Sequence, residues 1–335
     1  MKSNIRVGLI GLGAIAQLAH LPVLSRIRGM QLVALCDNDG AKARALADRF
    51  GVSSVFTDIE DLLDHGDVDA VIVATPNHLH EPHVLATLAA GKHVLCERPL
   101  SVSTRGIERI LAAADRTDGK VFVANNHRFR NDVQALDRFL RNGELGKLTG
   151  GRAGVLQHRG QREGWRTRRA ESGGGAFLEL GLPMVDLALW LADFPAPQRV
   201  TAHFDRPRGG GGAVEESALV MLECAQGIVF AFDVSWAYVG EQERWWFEVI
   251  SSRGSARLAP LRVVKELNGK PVDVSPTGAS AREGAFSQSY RAELTHFAAV
   301  LRGEGEYEAP TDQVTVLRVL EAVHRSAEER TEIVL

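Results

Sequence analysis

The turn Gly11-Leu12-Gly13-Ala14-Ile15-Ala16 has the spacing G-x-G-x-x-A, and an acid, Asp37, follows it by about 20 residues. Together these residue types can hold a dinucleotide. Gly11 would allow a tight bend, Gly13 would let the backbone approach a pyrophosphate, and Ala16 would let the next helix close on the sheet. The first N–H groups of that helix, those of Ala14 and Ile15 among them, would face the phosphates. The Asp37 carboxylate accepts hydrogen bonds from an adenosine ribose diol and repels a 2′-phosphate. No arginine follows it directly in Cys36-Asp37-Asn38-Asp39, so NAD is the expected cofactor and NADP the second option. A second candidate is His127, in Asn125-Asn126-His127-Arg128, a loop histidine that can titrate near neutral pH and move a proton. His78, His80 and His83 crowd a helix start without cysteine or acid ligands in a fixed pattern, and no metal is expected.

The elements that must position these residues alternate regularly. Val7, Leu9 and Ile10 give the apolar run of a strand buried on both faces, and Ala14 to Arg28 has helical spacing. Gln31 to Cys36 is the next strand, Gly40 to Phe50 a helix, Val55 the centre of a short strand, and Asp58 the opening of another helix. Strands at Ala70 to Ala74, His93 to Cys96 and Val121 to Ala124 are separated by helices over His78 to Ala90 and Ser101 to Arg116. The result is an α/β doubly wound parallel sheet, whose ligands sit outside the carboxyl ends of the strands, where Gly11, Asp37, Thr75, Glu97 and Asn125 fall. From residue 125 the texture changes. A helix over Asn131 to Asn142 precedes a strand from Leu148 to His158. Further strands around Val200, Leu219, Val229, Trp246 and Val263, with turns such as Ala225-Gln226-Gly227, predict a mostly antiparallel sheet joined by hairpins. Helices near Phe286 to Leu301 and Asp312 to Glu329 close the chain, and Arg208 to Ala213 reads as a flexible loop. The expected domains are 1–124 and 125–335, the second of α+β type.

With 39 Lys and Arg against 42 Asp and Glu, a net charge of -3 gives no electrostatic basis for binding nucleic acid or an anionic membrane. A small-molecule substrate is the expected partner. The three cysteines form no C-x-x-C pair, which fits a reducing cytoplasm. No apolar run reaches the ~18 residues of a membrane span.

The segments Thr75-Pro76-Asn77-His78-Leu79-His80 and Gly91-Lys92-His93-Val94-Leu95-Cys96-Glu97-Arg98-Pro99-Leu100 resemble motifs of the Gfo/Idh/MocA oxidoreductases, the family of glucose-fructose oxidoreductase and inositol dehydrogenase. The resemblance implies a Rossmann domain followed by an open-sheet domain that carries substrate contacts and joins subunits into a dimer or tetramer. It also implies that Thr75, Pro76, Asn77, His80 and Glu97 line the nicotinamide and its ribose, with Arg98 and Asn125 beside them, and that Trp165-Arg166 covers the ring or reaches substrate. Two departures stand out. The family's Glu-Lys-Pro is Glu97-Arg98-Pro99 here, and its D-x-x-x-H-x-x-D is Glu179 to Asp186, with Pro183 at the histidine position. A guanidinium with a pKa near ~13 cannot serve as base at neutral pH, but it can hold a substrate oxygen and stabilise alkoxide charge. Glu179 or His127 is then expected to handle the proton. Arg159, Arg162, Arg168 and Arg169 crowd one loop and would favour an anionic substrate if they face it. Two readings follow from the missing lysine and histidine. The first is an NAD-dependent oxidoreductase acting on a sugar or polyol; the second is a cofactor-binding sensor or subunit without hydride transfer.

Overall fold

The computed structural model describes residues 4–160, 163–206, 214–276 and 284–335. The chain folds as two compact units, Met1–Phe129 with Glu283–Val314, and Arg130–Arg282 with Thr315–Leu335. Arg162 and the glycine-rich stretch Arg208 to Ala213 lie outside the described residues.

In the first unit β1 (Ile5–Ile10), β2 (Met30–Cys36), β3 (Ser54–Phe56), β4 (Ala70–Val73), β5 (His93–Cys96) and β6 (Val121–Val123) form one sheet in the order β3-β2-β1-β4-β5-β6. Every pairing is parallel. All four residues of β4 are buried, as a strand covered by helices on both faces requires. Helix starts are fixed by local side chains. Asp39 accepts the N–H groups of Ala41 and Lys42 ahead of Gly40–Phe50, Asp58 that of Glu60, and Ser103 that of Gly106.

The division at 124/125 needs a correction. Helix Ala285–Leu301 returns to the first unit, where Tyr290, Leu294, Phe297 and Ala298 join the core of Leu9, Leu12, Ala16 and Ile72. Its apolar stripe is buried on the Rossmann side, which chain order alone does not reveal.

Among the described residues the second unit carries nine strands: β7 (Leu148–His158), β8 (Pro197–Asp205), β9 (Ser217–Cys224), β10 (Ile228–Tyr238), β11 (Arg244–Ser251), β12 (Gly254–Arg257), β13 (Arg262–Leu267), β14 (Lys270–Asp273) and β15 (Ile333–Val334). Their order is β14-β13-β12-β11-β7-β10-β9-β8-β15. The sheet is mostly antiparallel, as expected, but β7 and β10 pair parallel at its centre. The long connection between them, with helix Leu182–Leu191 and two strands, is what a parallel pair needs and a hairpin cannot supply. β9 alternates: Ala218, Val220, Leu222 and Cys224 are buried while Leu219 and Met221 are 57% and 53% exposed. The helical stretch Arg169–Leu191 is long and apolar enough for a membrane span by composition, at mean hydropathy 1.4. Arg169, Glu171, Glu179 and Asp186 interrupt the stretch, so no uninterrupted apolar run of that length stands in the sequence. Of its most apolar 18-residue window 89% is buried, and it belongs to the second unit's own core.

Candidate active site

At the first glycine turn, Gly11 has φ +85°, and a Cβ there would lie 2.5 Å from the Ala74 carbonyl oxygen. Only glycine fits this backbone. Gly13 is exposed, and a Cβ built on it meets no atom within 4 Å, so the backbone is open to an approaching pyrophosphate. Ala16 is fully buried where the helix closes on the sheet. Ala14 and Ile15 open that helix, whose first N–H groups have no intrahelical acceptors. Asp37, at the tip of β2, braces the turn: Oδ2 accepts the Leu12 N–H at 2.8 Å, and Oδ1 accepts the Asp39 N–H at 2.9 Å. The Lys42 ammonium also reaches Oδ1 at 2.9 Å, a neighbour that inspection of the residues directly after Asp37 does not show. An open glycine backbone, a helix start and a carboxylate at the next strand tip fit a dinucleotide.

Thr75, Pro76, Asn77, Glu97, Arg98 and Asn125 all lie just past the carboxyl ends of β4, β5 and β6, on the side of Gly11 and Asp37. The His80 ring is 1% exposed, with Nδ1 2.7 Å from the Pro99 oxygen and Nε2 2.8 Å from the Thr75 oxygen, so it ties the segments after β4 and β5 together. His83 pairs with the Thr75 hydroxyl at 3.1 Å, and burial lowers its pKa to about 4. His127 sits half-buried in the turn Asn126–Phe129 beyond β6.

Glu97 is the centre of a buried polar cluster. It is 7% exposed; His20 Nε2 lies 2.8 Å from Oε1, the Tyr290 hydroxyl donates to the same oxygen at 3.3 Å, and Arg98 Nη1 stands 3.8 Å from Oε2. Desolvation pushes the Glu97 pKa up, but the His20 hydrogen bond and the charges of His20, Arg98 and His80 outweigh it and hold the pKa below the ordinary value. The Arg98 side chain is 24% exposed. Burial works against its charge, yet the neighbouring Tyr290 hydroxyl and the Glu97 carboxylate raise its pKa, so it is a fixed cation. Glu293, 2% exposed and one turn beyond Tyr290, faces the same charges, and its pKa is raised well above the usual carboxyl range, first by desolvation and then by Glu97.

Sequence reasoning missed His20, Tyr290 and Glu293. The signal was present as polar residues on an apolar helix stripe, Ser289, Tyr290 and Glu293 preceding Leu294 and Phe297, but chain order had assigned that stripe to the other domain.

In the second unit Trp165, Arg166 and Glu179 come together. Arg166 stacks over the Trp165 ring at 4.5 Å, and its Nε lies 3.5 Å from Glu179 Oε2. Glu179 sits in a π-helical turn, Phe177–Gly181, whose start is held by Glu215 Oε1 accepting the N–H groups of Gly175 at 2.9 Å and Phe177 at 3.0 Å. Pro183 opens the helix that follows, and with no N–H it cannot bond the Glu179 carbonyl four residues back. The i→i+5 bond from Leu182 to Phe177 takes up the slack. Of the crowded arginines, Arg168 pairs with Glu171 and Arg169 with Glu328.

This combination of Rossmann unit and open-sheet unit defines an NAD-binding oxidoreductase. Residues 5–125 match the "Oxidoreductase family, NAD-binding Rossmann fold", and residues 133–257 match the "GFO/IDH/MocA C-terminal domain". D-glucoside 3-dehydrogenase of Escherichia coli is 29% identical over 100% of this chain and 98% of its own. 1,5-Anhydro-D-fructose reductase of Ensifer adhaerens is 30% identical over 75% of this chain and 74% of its own. The crystal structure of GenD2 from gentamicin A biosynthesis in complex with NAD superimposes with a TM-score of 0.85 at 28% identity, covering 100% of this chain and 97% of that one. The chain belongs to the Gfo/Idh/MocA family of oxidoreductases, whose N-terminal domain binds NAD.

Proposed function

We propose that the chain is a catalytically competent NAD-dependent dehydrogenase or reductase of a neutral sugar or polyol. The observation that carries this reading is the Glu97 cluster, a buried carboxylate held by His20 and Tyr290 with Arg98 beside it, beyond the same strand ends as the open glycine turn. Keeping charges buried costs several kcal/mol unless their geometry is maintained, and a sensor with no chemistry to perform would gain nothing from them. When bound, the cofactor supplies a nicotinamide ring that exchanges a hydride with a carbinol carbon. Thr75, Asn77, Glu97 and Asn125 are the residues proposed to border that ring and its ribose, and Asp37 the one that takes the adenosine diol. Arg98, one quarter exposed, holds the substrate oxygen and stabilises its developing negative charge. Within the second unit, the Glu179 carboxylate beside Arg166 and the Trp165 ring offer the polar and apolar surfaces that suit sugar hydroxyls and a sugar ring face. Because Arg168 and Arg169 are already paired with carboxylates, an uncharged substrate suits this loop better than a phosphorylated one. Exposed Leu219, Met221 and Ile250 on the outer face of the second sheet support a homo-oligomer formed through that face. Three buried, unpaired cysteines support a reducing cytoplasm as its compartment.

The test is nicotinamide absorbance with NAD and NADP across aldoses, glycosides, inositols and sugar acids in both directions. Steady turnover of a neutral sugar or polyol supports the reading. Tight cofactor binding with no turnover of any of them would favour the sensor.

A further inference from the structure

Glu293 is a buried titratable group that this assignment leaves without a task. Both of its carboxyl oxygens are buried with no hydrogen-bond partner among the described residues, and the residue is 2% exposed. It lies on the inward face of helix Ala285–Leu301, three residues after Tyr290, whose hydroxyl donates to Glu97 Oε1 at 3.3 Å. Ser289 on the same face accepts from Asn126 Nδ2 at 3.0 Å, so this stretch of helix packs on the segment after β6. The charges that bear on Glu293 are Glu97 and Arg98 from the end of β5 and Arg128 from the turn after β6. Tyr290 on its own helix faces the same group, and His20 reaches it through Glu97.

Desolvation first, and then the nearby Glu97 anion, oppose ionisation of this carboxyl, and Arg98 and Arg128 compensate only in part, so its proton is held more tightly than that of a free carboxyl. An unpartnered buried carboxyl is a standing cost that a leucine would remove. Its proton affinity depends on the charge of whatever approaches Glu97 and Arg98.

Building on the dehydrogenase reading, we propose that Glu293 is the proton store of the Glu97–Arg98–Tyr290 cluster, giving up its proton when a cationic nicotinamide binds beside Glu97 and keeping it when the reduced, neutral ring binds. The balance for oxidation is complete. The carbinol C–H bond would break with its electron pair going to the bound ring, the O–H bond would break with its proton ending on the Glu293 carboxylate, and a C=O bond would form. In reduction the neutral acid returns that proton to the alkoxide held by Arg98. Glu293 thus holds the proton for the cluster, the role that neither Arg98 nor Pro183 can take.

The experiment needs no turnover. Cofactor is added to the weakly buffered protein with a pH-indicator dye, at intervals from about pH 5 to about pH 9, the span in which raised carboxyl pKa values fall. The expected result is proton release on adding NAD, up to one per chain, little or none on adding NADH, and loss of that difference in Glu293→Gln, which still binds both. Infrared difference spectra of the unsubstituted protein give an independent reading: the carbonyl stretch of a protonated carboxyl should be weaker with NAD than with NADH. Equal proton release for the two cofactors, a difference that survives in Glu293→Gln, or an unchanged carboxyl band would each overturn the inference while leaving the dehydrogenase reading intact. Failure to bind either cofactor would overturn both.

Discussion

Replacing Lys42 by alanine is expected to sharpen the preference for NAD over NADP about tenfold. In the folded protein the Lys42 ammonium lies 2.9 Å from Asp37 Oδ1, and its side chain is 34% exposed. A 2′-phosphate carried where a ribose diol meets this carboxylate would feel Asp37 across about 5 Å. Coulomb's law with an effective dielectric constant of about 20–40 puts that repulsion at roughly 2–3 kcal/mol per charge. Lys42, paired directly with the carboxylate, cancels most of it in the intact protein. Removing the ammonium restores the repulsion, and partial exposure with salt screening trims the net effect to about 1–2 kcal/mol, a range that brackets a factor of ten. Both dissociation constants are to be measured by tryptophan fluorescence or calorimetry at fixed ionic strength, in the unsubstituted protein, Lys42→Ala and Asp37→Ala. Asp37→Ala should move the ratio the other way. A ratio unchanged or shifted towards NADP in Lys42→Ala would refute the reasoning, since it would mean that the adenosine end of the cofactor does not meet this pair.

Gly13→Ala should lower cofactor affinity at least about tenfold without lowering Tm, because its Cβ meets no protein atom within 4 Å and enters only the ligand's space. Gly11→Ala, at φ +85° and 2.5 Å from the Ala74 oxygen, should destabilise the fold itself by about 2 kcal/mol or more, and a melting curve separates the two. Arg98→Ala should reduce kcat about 10²–10³-fold with little change in cofactor Kd, and Arg98→Lys should not rescue it, since a compact ammonium cannot reproduce a planar fork. Full activity in Arg98→Ala would place the chemistry elsewhere. Burial first, then the charge of Arg169, lowers the His324 pKa to about 4, below the ~6.5 of an unfolded chain. The unfolded state therefore binds the proton first as pH falls, so stability present above about pH 6.5 is lost towards about pH 4, by at most about 3 kcal/mol from this residue. Denaturant midpoints across that window should show a shallower slope in His324→Leu, with His83 accounting for part of what remains; an identical slope would contradict the assignment.

The first unit was legible because its signals are local. A two-sided apolar run such as Ala70–Val73, a glycine turn and caps such as Asp39 and Asp58 each declare themselves within a few residues. What could not be read were facts that join distant segments. The return of Ala285–Leu301 to the first core depends on which of two surfaces its Leu294 and Phe297 find, and the parallel pairing of β7 with β10 depends on the path of the residues between. The site divides in the same way. Gly11, Asp37, Glu97 and Arg98 follow from motif and strand ends, whereas Glu97 acquires its charge-stabilising partners from His20, 77 residues earlier, and Tyr290, 193 residues later. No window of sequence contains that cluster.

The two π-helical turns, Ala16–His20 and Phe177–Gly181, are each followed by Leu-Pro, at Leu21-Pro22 and Leu182-Pro183. In each, the leucine N–H reaches back five residues, so the helix admits one extra residue within a turn and the residues before the bulge are rotated relative to those after it. His20 and Glu179 both lie inside these rotated turns. Pro183 is therefore part of the geometry that aims Glu179: an N–H at this position would return to the ladder, allow the bulge to relax and turn the carboxylate away from its present bearing. Pro183→His should therefore disturb the bearing of Glu179 before it adds any proton donor.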